Sequence, residues 1–213
     1  MGKRLGPQVQ KAVNETTTKL SPLEPLSELG HVLPRLLDFM ADTPEEDVIM
    51  FAKIDLSDGF WRMIVTENDA WHFAYVLPDP PGHPVRLVIP HALQMGWTES
   101  PGYFCAATDT GRDVMQALVI NKVALPLHPL ESFMTPTEKA RPQSTGDHYQ
   151  QMASVFVDDY CLAAVESRDG ELLQRISRAA LHTIHGIFPP PNASGHKGGK
   201  DPVSRTKLER GDA

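Results

Sequence analysis

A chain of 213 residues with 41% hydrophobic side chains is long enough to enclose a substantial core. Its apolar runs are too short to cross a bilayer, and the charged start MGKRLGPQVQK is not followed by the apolar stretch of a secretory signal, so neither a membrane protein nor a secreted one is expected. The net charge of −7 argues against a broad basic surface for nucleic acid. It is unevenly spread, however: residues 1–20 carry four basic and one acidic side chain, whereas residues 21–196 carry 11 basic and 23 acidic.

The first residues, 1–27, are polar and aperiodic and read as an extended arm. From Ser27, a possible cap, to Asp42, the residues Leu29, Val32, Leu33, Leu36, Leu37 and Met40 recur at helical spacing, with Pro34 marking an irregular start. A strand is predicted over Val48–Leu56, and two more over 70–79 and 83–90 around the turn PDPPGHP, a hairpin in outline. Ser100-Pro101 opens a predicted helix that runs to Ile120. Residues 121–148, with four prolines, read as a long irregular insertion.

Strand, turn and strand follow in ASVFVDDYCLAAV, then an amphipathic helix over Arg168–Phe188 with Leu172, Leu173, Ile176, Ala180, Leu181 and Ile184 on one side. The Pro/Gly-rich tail 189–213 is expected to be poorly ordered. Strands and helices interleave without a βαβ rhythm or a Gly-rich phosphate turn, which predicts an α+β fold. The divisions expected are an N-terminal arm with a helix over 1–49, a central unit over 50–188 and a flexible tail over 189–213.

Asp158 and Asp159 raise the functional question, because a strand has no cheap way to bury two carboxylates. At a hairpin tip they would project beyond the sheet, where Mg²⁺ takes oxygen ligands from one or two carboxylates and substrate phosphates. Alone, VDDY is more simply an Asp-rich turn. Asp55 changes that balance, since it closes another apolar strand just ahead of Asp58-Gly59. Two such strands side by side would give the layout of a two-metal phosphoryl-transfer site. A third segment, LQMGWTESPGYF, is by itself only a loop leading into a helix. His182 and His185 read as a solvent-facing pair, core packing is expected for at least two of Trp61, Trp71 and Trp97, and Cys105 and Cys161 read as thiols of a reducing compartment.

In this order, KIDLSDGFWRM, LQMGWTESPGYF and FVDDY resemble the three palm motifs of reverse transcriptases, in a style nearest to gypsy-like LTR retrotransposons, over roughly residues 14–188. The resemblance implies a polymerase palm, an antiparallel sheet backed by helices, with partial fingers and no thumb. It implies an RNA-directed DNA polymerase core fragment, a nucleotidyltransferase of a DNA-integrating retroelement, that adds dNMP to a primer 3′-end by two-metal catalysis. By the same resemblance Asp55, Asp158 and Asp159 are catalytic. They would hold two Mg²⁺ (or Mn²⁺) ions together with the backbone carbonyl of Leu56. Asp58 and Gly59 would face the triphosphate, Phe60 would block a ribose 2′-hydroxyl, and Met95 and Gly96 would lie against the nucleotide and template base. The partners implied are an RNA or DNA template with primer, dNTP, and the thumb and RNase H regions of a parent polyprotein, in the cytoplasm or nucleus and away from membranes. Two other readings are a catalytically inactive retroelement remnant and another metal-dependent nucleotidyl-transfer or hydrolytic enzyme.

Overall fold

The computed structural model describes residues 13–16, 20–78, 80–134, 150–165, 171–190, 201–203 and 209–212. In chain order the elements are α1 (Val13–Thr16), α2 (Glu24–Glu28), α3 (Val32–Ala41), β1 (Ile49–Asp55), α4 (Glu67–Ala70), β2 (Tyr75–Val76), β3 (Leu87–Val88), α5 (Ser100–Ile120), β4 (Gln151–Phe156), β5 (Asp159–Val165), α6 (Leu172–Ile187) and β6 (Glu209–Asp212). The fold is mixed α+β. Its main sheet has the order β4-β5-β1-β6 with every neighbour antiparallel, and β2 and β3 pair separately.

Alternation along the strands decides where the core lies. Met50, Ala52 and Ile54 of β1, Ala153 and Val155 of β4, and Tyr160, Leu162 and Ala164 of β5 all bury their side chains in one cluster, because successive residues of a strand point to opposite faces. Phe104, Met115 and Val119 of α5 and Leu173, Ile176, Leu181 and Ile184 of α6 complete that cluster. All six residues expected to line one side of α6 are buried. Pro101 stands in the first turn of α5, where its missing N–H costs nothing. Farther along α5, Gly111 is required by close packing: a Cβ there would run into the Tyr160 hydroxyl, which instead donates to the Thr108 carbonyl at 2.9 Å.

Several expectations are corrected. The helix expected from Ser27 forms in pieces, α2, a 3₁₀ turn over Leu29–His31 and then α3, and Ser27 bonds the Glu24 carbonyl from inside α2 rather than capping. Pro34 falls in the first turn of α3, where no amide partner is lost. The apolar spacing forms a helix but not a buried one: Leu33, Leu37 and Met40 are 62, 56 and 41% exposed. Residues 70–73, expected in a strand, instead end α4 at Ala70 and continue it as a 3₁₀ turn over Trp71–Phe73, which leaves β2 and β3 two residues each. Trp61 and Trp71 are exposed rather than packed in the core. Residues 121–134 are irregular apart from a 3₁₀ turn over Pro129–Phe133, and residues 135–148 of the expected insertion lie outside the described residues.

The tail departs most from expectation. Residues 191–200 and 204–208 lie outside the described residues, but Val203 is 1% exposed and β6 pairs with β1. The segment Asp201–Val203 docks because Val203 offers an apolar side chain beside the open edge of Leu56, with which it forms a bridge. Among the described residues no helix is long and apolar enough to cross a membrane, and both cysteines are free thiols.

Candidate active site

The register of the central strands brings Asp55 and Asp159 together. Asp55, the last residue of β1, lies opposite Asp159, the first of β5. The Leu56 amide donates to the Asp158 carbonyl at 2.9 Å, so the hydrogen-bonded pair is the next one along and Asp55↔Asp159 is a non-hydrogen-bonded pair. Such pairs bring Cα atoms to about 4.5 Å and put both side chains on one face, close to each other. Asp55 is buried at 5% exposure, and Asp159 is half-buried. Their face is the one turned away from the core cluster, since Ile54 and Tyr160 occupy the other.

Asp158 stands in the loop, in the pair beyond Asp55 and Asp159, with its carbonyl bonded to the Leu56 amide. Val157 and Asp158 are the only residues between β4 and β5, and Val157 adopts φ 57°, a left-handed backbone that β-branched residues rarely take. That conformation costs about 1–3 kcal/mol and makes so short a turn possible. The Asp158 carboxylate lies within electrostatic reach of α5: the Cys105 thiol is pushed up to about 11, first by burial and then by the charges of Asp109 and Asp158.

Lys53 is the residue that motif reading passed over. It stands two places before Asp55 on the same face of β1, and its Nζ lies 3.0 Å from Asp159 Oδ2. The period-two alternation that placed Asp55 contained the signal. Asp159 Oδ1 is buried and has no hydrogen-bond partner among the described residues. A buried acceptor without a donor is open to a cation. Among the described residues no group of three or more His, Cys, Asp or Glu side chains is arranged to hold a metal ion.

The turn after β1 carries the next residues. Asp58 is exposed in the left-handed region at φ 60°, which Asp tolerates, and opens a 3₁₀ turn over Gly59–Arg62. Gly59 lies against Phe104, where a Cβ would come to 2.8 Å from the ring. Phe60 is half-buried and meets Phe104 edge-on at 5.1 Å, so its ring is braced by α5. Arg62 folds back to donate to the Ser57 carbonyl at 2.6 Å. Chain segments 63–65 and 91–93 then pair, through Leu93 N to Met63 O at 2.9 Å and Val65 N to His91 O at 3.0 Å, and this ties the second motif to the first.

Met95 and Gly96 follow on an exposed turn, with Met95 71% exposed and Gly96 at φ 92°. The neighbouring Gln94 turns its amide back to the Ala92 carbonyl at 2.7 Å. Glu99, buried at 7% exposure, accepts from the amides of Leu20 and Ser21 at 2.9 and 2.7 Å and moors the N-terminal segment to α5.

The histidine pair is corrected as well. His182 and His185 are half-buried and face His128 of the irregular connection, at ring separations of 4.9 and 4.6 Å. The spacing within α6 was legible; the partner from residue 128 was not. No family model matches the chain, and no curated protein matches it.

Proposed function

We propose that the chain is the palm core, with partial fingers, of an RNA-directed DNA polymerase, the reverse transcriptase of an LTR retroelement. The observation that supports this reading is that Asp55 lies opposite Asp159 at one end of the central strands, with the Asp158 backbone bonded to Leu56 next to them and an Asp159 oxygen that is buried without a partner among the described residues.

The donor set is all oxygen, which suits Mg²⁺ or Mn²⁺ and leaves the remaining positions for water and phosphate. Asp55, Asp158, Asp159 and the Leu56 carbonyl are the groups that would hold the two ions. Bound there, the metal would supply an activated primer 3′-hydroxyl and neutralise phosphate charge. The protein's own work is positioning. Lys53 neutralises one oxygen of Asp159 and so lets two carboxylates stand opposite each other across the strands. The turn 58–60 presents backbone amides, while Phe60, braced on Phe104, supplies a flat wall against a 2′-hydroxyl. Template with primer and dNTP are the partners of this reading, in the cytoplasm or nucleus.

The test is primer extension by the purified chain on RNA and DNA templates with Mg²⁺, beside Asp158→Asn. Extension that the substitution abolishes supports the polymerase. Equal background from both favours the inactive remnant, and template-free nucleotide hydrolysis that depends on Asp158 favours another metal-dependent enzyme.

A further inference from the structure

We propose that His128, His185 and Asp201 form a proton-excluding clasp that holds the segment Asp201–Val203 against the turn after Asp55, and that adding a proton to the histidine pair releases it. Its effect on catalysis rests on the reading above; the clasp itself does not.

The wiring leaves no choice of hydrogens. The Leu130 amide points at His128 Nδ1 at 3.2 Å, His128 Nε2 lies 3.0 Å from His185 Nδ1, and His185 Nε2 lies 3.0 Å from Asp201 Oδ1. An amide can only donate and a carboxylate only accept, so both rings are neutral and carry their proton on Nε2. A further proton on His185 Nδ1 would face the His128 Nε2–H. Moving the His128 proton to Nδ1 would set it against the Leu130 N–H. No tautomer accommodates the extra charge without breaking a link. In agreement, burial, followed by the charges of His185 and His182, pushes His128 down to about 4.

The surrounding groups are accounted for element by element. From α6, His182 meets the His128 ring edge-on and its Nε2 lies 2.8 Å from the Pro126 carbonyl, while Arg178 binds Glu131 through two bonds of 2.7 and 2.9 Å. From the 126–134 connection, Glu131 accepts from the His128 amide at 2.7 Å. From the turn after β1, Arg62 donates to the Asp201 carbonyl at 3.0 Å. Glu131 and Asp201 favour a charged His128, and the burial and neighbouring rings outweigh them.

The clasp is mechanically joined to the candidate active site. Asp201 Oδ1 also accepts from the Val203 amide at 2.9 Å, and the Pro202 carbonyl accepts from the Ser57 amide at 2.7 Å. Val203 bridges Leu56. Arg62 bonds the carbonyls of Asp201 and Ser57 together. His185 and Asp201 are therefore positioning residues for the turn 56–62.

Amide hydrogen exchange of the full chain, corrected for the intrinsic pH dependence, tests this. The Ser57 amide reports the clasp, and the Leu56 amide, bonded to Asp158 inside the sheet, is the internal control. On going from pH 7.5 to 5, Ser57 exchange is expected to rise at least tenfold relative to Leu56. Asp201→Ala should show that faster exchange already at pH 7.5, whereas Asp201→Asn, which keeps an acceptor for His185 and Val203, should retain protection. Ser57 protection that is unchanged by pH, or by Asp201→Ala, overturns the proposal. A Ser57 response in a chain that extends no primer upholds the clasp and counts against the polymerase reading alone.

Discussion

Replacing Asp159 with Asn should make the metal-free protein more stable and deaf to metal. In the native chain Asp159 Oδ1 is buried without a donor among the described residues, a condition that costs about 1–3 kcal/mol. The residue also stands directly opposite Asp55, and like charges in that position are destabilising by a further fraction of a kcal/mol. Against this stands the ion pair with Lys53, whose side chain is 41% exposed; such partly solvated pairs contribute only about 0.2–1 kcal/mol. Desolvation and repulsion win, and the net gain for Asp159→Asn is about 1 kcal/mol. For a domain of this size that raises the melting temperature by about 2–4 °C. Scanning calorimetry in EDTA measures it. Added Mg²⁺ should then raise the wild-type midpoint, since a ligand at about ten times its Kd adds about 1.4 kcal/mol, and should leave the variant unmoved. A variant that melts several degrees lower in EDTA, or that responds to Mg²⁺ as the wild type does, would refute the account of the unpaired oxygen.

Two further outcomes follow from packing and from protons. Gly111→Ala should destabilise by about 1–3 kcal/mol in urea unfolding, because the new methyl group displaces the Tyr160 hydroxyl from the Thr108 carbonyl; combining it with Tyr160→Phe should recover part of the loss. For His128, the unfolded chain with its ordinary value of 6.5 binds more protons than the folded chain at about 4, so this contribution is complete above pH 6.5 and is lost as pH falls toward 4. The unfolding free energy from urea titration should therefore drop between pH 7 and 5, by at most about 1.4 kcal/mol per pH unit for one proton, and His128→Gln should flatten the drop.

Where the chain's local pattern and its tertiary environment agree, the fold was readable in advance. α5 and α6 carry long apolar faces at helical period, and both formed within a few residues of expectation. The hairpin and the place of Asp55 opposite Asp159 were legible because apolar runs ended in carboxylates, and a sheet can accommodate those only at its end. The region of α3 shows the limit: period reports that Leu33, Leu37 and Met40 share a side, and says nothing about whether anything covers it. β6 was hidden because ERGD contains no β-former; its pairing draws on the backbone of β1 instead. The histidine chain was hidden for a different reason. Its members come from an irregular connection, a helix and a tail, and no spacing within any one of them encodes the other two.

The flanks of β1 have a consequence for how the protein is made. On the ribosome both neighbours of this strand, β5 and β6, are translated long after it. Until they arrive its edges stay unpaired, a hazard that slow, non-local sheets share. Asp55 and Asp159 therefore come to stand opposite each other only after β5 has been translated.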